Sequence, residues 1–286
     1  MSATPDVVAE CRDRRRYLMI LAGPMMVLLV LFVYPVLGLL AYSDKQGSAI
    51  SNIGAVLSEP LYLTVFWITI RTAIYTTLIC VALGYPLAYV AINLRPKLQS
   101  IVIALVVLPF FVSLIVRTYA WMVLLGRKGL INSALEALSF GEESTQLLYT
   151  QAGALIGMTY ALLPFVVLTS YSVMRSIDQR YVQAAYSLGA SPRQVFMRVF
   201  LPLSMPGVLG GTILVFIMSL GFFITPRLMG GPSDLMVAML IEHEVEMTLN
   251  WPLAAALSLF LLVITTVGFV AYARLVKLES MFEGSR

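Results

Sequence analysis

The chain has 286 residues, of which 59% are apolar and only 12% charged, against roughly 45–50% and about 25% in an ordinary soluble domain. Nineteen basic and 15 acidic side chains would cover a water-soluble core of this size too thinly, so soluble enzymes, collagen-like repeats and disordered tails are excluded. The natural solvent is lipid, and six bilayer-spanning helices of about 20 residues each fit within the length.

Apolar runs with few charges predict spans at about 17–42, 62–92, 101–125, 149–174, 205–226 and 251–275. The first follows Arg12, Arg14, Arg15 and Arg16, as a signal-peptide basic region would, but it is longer than the roughly 7–15 apolar residues of such a peptide and is read as a retained anchor. The chain thus reads as an all-α integral membrane protein. It divides into a basic cytoplasmic tail 1–16, a six-helix membrane domain 17–275 that includes a cytoplasmic loop 175–204, and a cytoplasmic tail 276–286.

With both termini cytoplasmic, 13 of the 19 Lys and Arg fall in inside segments and four, Lys45, Arg127, Lys128 and Arg227, fall outside. That asymmetry is the positive-inside signature. Arg71 and Arg117 lie within apolar runs. The net charge of +4 reflects topology, and no basic stretch with interleaved aromatics points to nucleic acid. Cys11 and Cys80 fall on a tail and within a span, so they read as free thiols. Pro24, Pro35, Pro86, Pro109, Pro164 and Pro226 sit in or at the ends of spans, where proline frees backbone groups that neighbouring helices or a water-lined path must satisfy.

Several chemistries lack their residues. A phosphate-cradling loop needs a Gly-Lys pair, yet the four lysines follow Asp44, Pro96, Arg127 and Val276. His243-Glu244 starts like a zinc-protease helix, but the position four residues after the histidine is Met247, so no metal site is expected. The predicted spans carry no Asp or Glu, which argues against a secondary transporter with a midplane carboxylate. No catalytic residues and no bound cofactor are therefore expected.

The loop 175–204 is the most ordered of the connections. Tyr181 to Leu188 reads as a short helix, Gly189 as its end, and Ser191-Pro192 as the N-cap and first turn of another helix. Val195, Phe196, Val199 and Phe200 give the second helix an apolar face. A helix-glycine-helix elbow at the membrane surface is predicted.

Gln183-Ala184-Ala185, three residues, Gly189-Ala190, then Phe196 and Leu201-Pro202 with Pro206-Gly207, resemble the E-A-A loop of permease subunits of binding-protein-dependent ABC importers. Leu108-Pro109 to Asn132, Pro226 to Pro232 and Asn250-Trp251-Pro252 resemble segments of the spermidine/putrescine-type permeases in that family. The resemblance implies a type I ABC importer permease fold in the bacterial cytoplasmic membrane. It also implies a second homologous permease, two ATPase subunits that hold the ATP and magnesium, and an external solute-binding protein. By the same resemblance, Gln183, Ala184, Ala185, Gly189, Ala190, Phe196 and Pro202 belong to the surface that couples to the ATPase. Gln183 stands where the family has Glu, which removes an ion pair worth about 0–1 kcal/mol at a surface.

The implied solute is a polyamine. Arg117, Tyr119, Trp121, Phe222, Phe223 and Arg227 are candidates for the substrate path, the aromatics being able to hold a cation on their ring faces. Arg117 has a second reading, in which it snorkels to the interface or pairs with an acid such as Asp234. Arg227 at a translocation mouth disfavours a dication and keeps open an amino-acid-like or carboxylate solute such as 4-aminobutyrate, an opine or a phosphonate. The competitors from other classes are a secondary transporter and a non-transporting membrane scaffold.

Overall fold

The computed structural model describes residues 22–38, 58–138 and 147–275, with the single positions 41, 54 and 56. The two expected tails and part of the first expected span lie outside the described residues. Those described form helices and turns with no strand. In chain order they are α1 (Ala22–Gly38), α2 (Pro60–Asn93), α3 (Pro96–Val107), α4 (Leu114–Leu125), α5 (Leu130–Leu138), α6 (Gln151–Ser176), α7 (Gln179–Ser187), α8 (Pro192–Val195), α9 (Leu201–Leu220), α10 (Ile224–Met229), α11 (Val237–Glu246) and α12 (Trp251–Leu275).

Among the described residues four stretches are long and apolar enough to cross a bilayer: Pro60–Asn93, Gln151–Ser176, Pro192–Leu220 and Trp251–Val270. Among them one further span is formed if the broken pair Pro96–Phe111 with Leu114–Ala134, bent by 104°, is taken as one. The single straight span expected at 101–125 is thus corrected. Leu108–Phe111 tightens into a 3-10 turn around Pro109, Val112 is extended, and Ser113 stands as the N-cap of α4. A proline supplies no N–H to the ladder and crowds the preceding turn, and that is where the helix breaks. The described part of the first expected span, Ala22–Gly38, is an apolar helix.

The fifth expected span is also redrawn. It starts at Pro192 instead of 205, because α8 runs through a π-helical turn at Phe196–Phe200 straight into α9. It stops at Leu220, where Gly221 is the C-cap.

At the centre α2, α6 and α9 pack on one another. Cys80, Ala161, Leu162, Val166 and Val215 form one buried cluster between them, and Ala88, Val167, Met174 and Phe200 another. Between helices immersed in lipid the attraction is packing, so small residues let the backbones approach. A Cβ added at Gly207 would meet the Thr169 carbonyl oxygen and Val173 Cβ, both at 2.8 Å, and one added at Gly211 would press on Thr169 Oγ1 and lie 2.9 Å from Val166 Cα. Gly210, one residue away, faces open space.

This seam yields a test. Gly211→Val is expected to destabilise the purified protein by about 1–3 kcal/mol, as over-packing does, whereas Gly210→Val stays within about 0.5 kcal/mol. Thermal unfolding in detergent reads both.

Candidate functional site: the elbow and the opposite cap

The elbow at the start of the fifth span forms from local signals. Asp178 caps α7, its carboxylate accepting the Arg180 N–H at 2.9 Å. Gly189 then turns the chain with φ +81°, a conformation that costs a side-chain-bearing residue about 1–3 kcal/mol. Ser191 opens the next helix through a capping box: its hydroxyl accepts the Gln194 N–H at 3.4 Å, and Gln194 Oε1 accepts the Ser191 N–H at 2.8 Å. Pro192 occupies the first turn, where a missing N–H costs nothing.

The sequence reading therefore placed the elbow correctly to within two residues, but its second helix does not end in the loop. Phe196 and Phe200 stack on each other and meet Tyr89 edge-on at 5.1 and 5.2 Å between ring centroids. Tyr85 joins them edge-on to Phe196 and shares a 3.1 Å hydrogen bond with Ser204. This aromatic block fastens the base of the fifth span to α2. On the other side of the elbow, Gln183, Ala184, Gly189 and Pro202 are exposed, Ala185 and Ala190 are half-buried, and Leu188 is 88% exposed.

The opposite end of the bundle is closed by a cap, 221–250, built around α10 and α11. Three hydrogen bonds tie it to the rest of the bundle, and one ion pair lies within it. Thr225 and Thr118 hydroxyls meet at 3.2 Å, tying α10 to α4. The Tyr149 N–H donates to Met229 O at 2.9 Å, at the start of α6. The Val237 N–H donates to Thr69 Oγ1 at 2.8 Å, tying α11 to α2. Finally, Arg227 of α10 forms an ion pair with Glu242 of α11.

The six residues expected along a solute path have different surroundings. Phe222 packs on the buried cluster around Cys80 and Val215. Phe223 is 37% and Tyr119 54% exposed. Trp121 meets Tyr160 edge-on at 5.4 Å, and the two line an apolar groove of about 420 Å³ with Ile79, Leu83 and Leu163. The Arg117 Nε and Nη1 are buried and meet no acceptor among the described residues. Asp234, weighed as its partner, instead accepts the Gly231 N–H at 2.9 Å. What the structure does bring together is α4, carrying Arg117 and Trp121, with α10, carrying Arg227, through the Thr118–Thr225 contact. Neither that threonine pair nor Glu242 as the partner of Arg227 was foreseen. The members are 107 and 15 residues apart, and no periodicity links them.

The structure is a polytopic helical fold with an exposed glycine elbow at one end and a cap packed over the other. The chain belongs to the family of binding-protein-dependent transport system inner membrane components, whose model matches residues 81–279. Its relatives include the spermidine/putrescine transport system permease protein PotB of Haemophilus influenzae, 37% identical over 222 residues and 78% of either chain. PotB of Escherichia coli is 33% identical over 218 residues, 76% of this chain and 79% of the relative. The molybdenum transport system permease protein ModB of Mycobacterium bovis is 31% identical over 214 residues, 74% of this chain and 79% of the relative. Among solved structures, a bacterial alginate ABC transporter in complex with alginate pentasaccharide-bound periplasmic protein shares the fold. Its TM-score is 0.75 at 18% identity, covering 92% of this chain and 94% of that one. An inward-facing MetNI methionine ABC transporter matches with a TM-score of 0.60 at 18% identity, over 77% of this chain and 98% of the other. The protein is thus a multi-pass permease subunit of a type I ABC importer, and its relatives are transport subunits and not enzymes.

The threonine contact is testable. Thr225→Val keeps the volume and removes the inter-helix hydrogen bond, so it is expected to cost about 1 kcal/mol. Thr118 retains its bond to Leu114 O at 2.9 Å. Thermal unfolding of the two single variants and the double variant, taken as a cycle, should return that coupling.

Proposed function

We propose that this chain is one half of a heterodimeric pore that imports a polyamine of the spermidine or putrescine kind, driven by ATP hydrolysis on two separate subunits. Identity carries the solute class: the polyamine-system relatives match at 33–37% across most of the chain, ahead of the molybdenum-system relative at 31%. The geometry removes an objection to a cation. Arg227, whose charge would repel a dication at the mouth, is paired with Glu242.

In this reading both termini are cytoplasmic, the elbow is cytoplasmic and the cap faces the solute-binding protein outside. The ATPase subunits hold ATP and magnesium, and this chain holds neither. Closure of the ATPases moves the exposed surface of Gln183, Ala184, Ala185, Gly189 and Ala190. Phe196 and Pro202 lie where the elbow passes into the fifth span, so the displacement reaches α9 without an intervening loop. Arg117, Tyr119, Trp121, Phe222, Phe223 and Arg227 form the wall and outer mouth of the path.

Gly189→Val places a β-branched residue at φ +81°, which distorts the turn by about 1–3 kcal/mol of strain. The assembled complex should still bind ATP, while solute uptake per ATP hydrolysed collapses; normal uptake would remove the elbow from the coupling path. Arg117→Ala should change the uptake rate, and an unchanged uptake curve would return Arg117 to a purely structural place. For the solute itself, ATPase stimulation of the complex in proteoliposomes is read with binding protein loaded in turn with putrescine, spermidine, 4-aminobutyrate or an opine-like carboxylate. Stimulation by the two polyamines alone supports the proposal, and stimulation by the carboxylates alone refutes it.

A further inference from the structure

Arg227 and Glu242 come from two short helices with different supports. α10 is seated on α6 and α4, whereas α11 is seated on α12 and α2. Their ion pair crosses between these groups, and among the described residues it is the one ion pair joining two helices. The Arg227 side chain is 39% and the Glu242 side chain 19% exposed, while the Glu242 Oε2 that meets Arg227 is itself buried.

The other cap acids whose partners are seen are held differently. Asp234 accepts a backbone N–H from Gly231, and Glu244 accepts the Thr248 hydroxyl. Glu242 is the acid whose partner is itself a cation, and a bound cation is what an incoming cation can replace. In a partly exposed site the exchange trades one charge-assisted contact for another and buries no net charge. The freed guanidinium, already in contact with solvent, returns to water.

We propose that Glu242 receives an ammonium group of the entering solute, and that Arg227 is the resident cation it displaces, so that solute entry unlinks α10 from α11. This rests on the polyamine reading above. It makes the pair asymmetric. Without Glu242 the mouth keeps an uncompensated arginine that repels the solute; without Arg227 it keeps an open carboxylate that attracts it.

The test uses the complete complex in proteoliposomes with saturating putrescine-loaded binding protein, with complex yield and basal ATPase activity as checks on assembly. Initial uptake by Glu242→Gln should fall about tenfold, the effect of about 1.4 kcal/mol, while Arg227→Gln should raise it. The exchanged double variant Arg227→Glu/Glu242→Arg should not recover, because the carboxylate has moved to α10. A staple with no solute contact gives the opposite pattern, with equal losses in both single variants and recovery on exchange, and that pattern overturns the inference, as does unchanged uptake by Glu242→Gln. Absence of polyamine uptake by the unmutated complex would refute the proposed function together with this inference, whereas normal uptake with symmetric losses would refute this inference alone.

Discussion

The close approach of α9 to α6 at Gly207 and Gly211 is the contact on which the rest of the structure depends. In lipid there is little hydrophobic gain in bringing two apolar helices together, so the seam must be made by fit. With Thr169 and Val166 filling the space over the glycines, α9 is held along α6 over its middle turns. Its two ends are then fixed in place, one carrying the elbow and the other leading through Gly221 into the cap. A side chain in the seam would separate both ends from their supports at once.

Function follows from the continuity of that helix. From Pro192 to Leu220 no turn of coil interrupts the chain, and the π-helical turn at Phe196–Phe200 is braced by Tyr85 and Tyr89 of α2. π turns recur at functional positions because the extra residue is costly unless something holds it. Here the aromatic block supplies the hold and ties the elbow's end of that helix to α2, one of its two core neighbours. The cap at the other end is joined to α2, α4 and α6 by three hydrogen bonds and by packing, with Met229 buried against Leu125 and Leu148 and with Val237 and Leu240 buried among Val65, Phe66 and Leu257.

Much of this was legible in the amino-acid sequence because it is local. Ser191-Pro192 with Gly189 encodes the elbow within a few residues, and the capping partner Gln194 sits at the spacing that motif requires. The membrane class followed from composition alone. The break at 108–113 was not legible, since apolar residues continue through it and hydropathy does not register a bend; only Pro109 hinted at it. The start of the fifth span was hidden because the helix opening at Ser191-Pro192 read as a separate surface helix, and Arg193 and Arg198 gave no sign that it continues into the span. The cap contacts were out of reach for another reason. Thr69 with Val237, Thr118 with Thr225 and Arg227 with Glu242 are tertiary pairs, and a single sequence carries no periodic trace of them. Arg227 therefore read as a free positive charge, whereas it is paired with Glu242.

The central claim is that the elbow and the fifth span move as one body. It is tested most directly by electron–electron distance measurement between spin labels at Met197 and Leu214, both exposed on that helix, in an assembled complex whose native cysteines are replaced. The account predicts the same distance in the nucleotide-free and ATP-trapped states, while the distance from Met197 to a label on an ATPase subunit changes. A Met197–Leu214 distance that shifts between the two states would show the π turn bending as a hinge, and would contradict rigid transmission from the elbow to the cap.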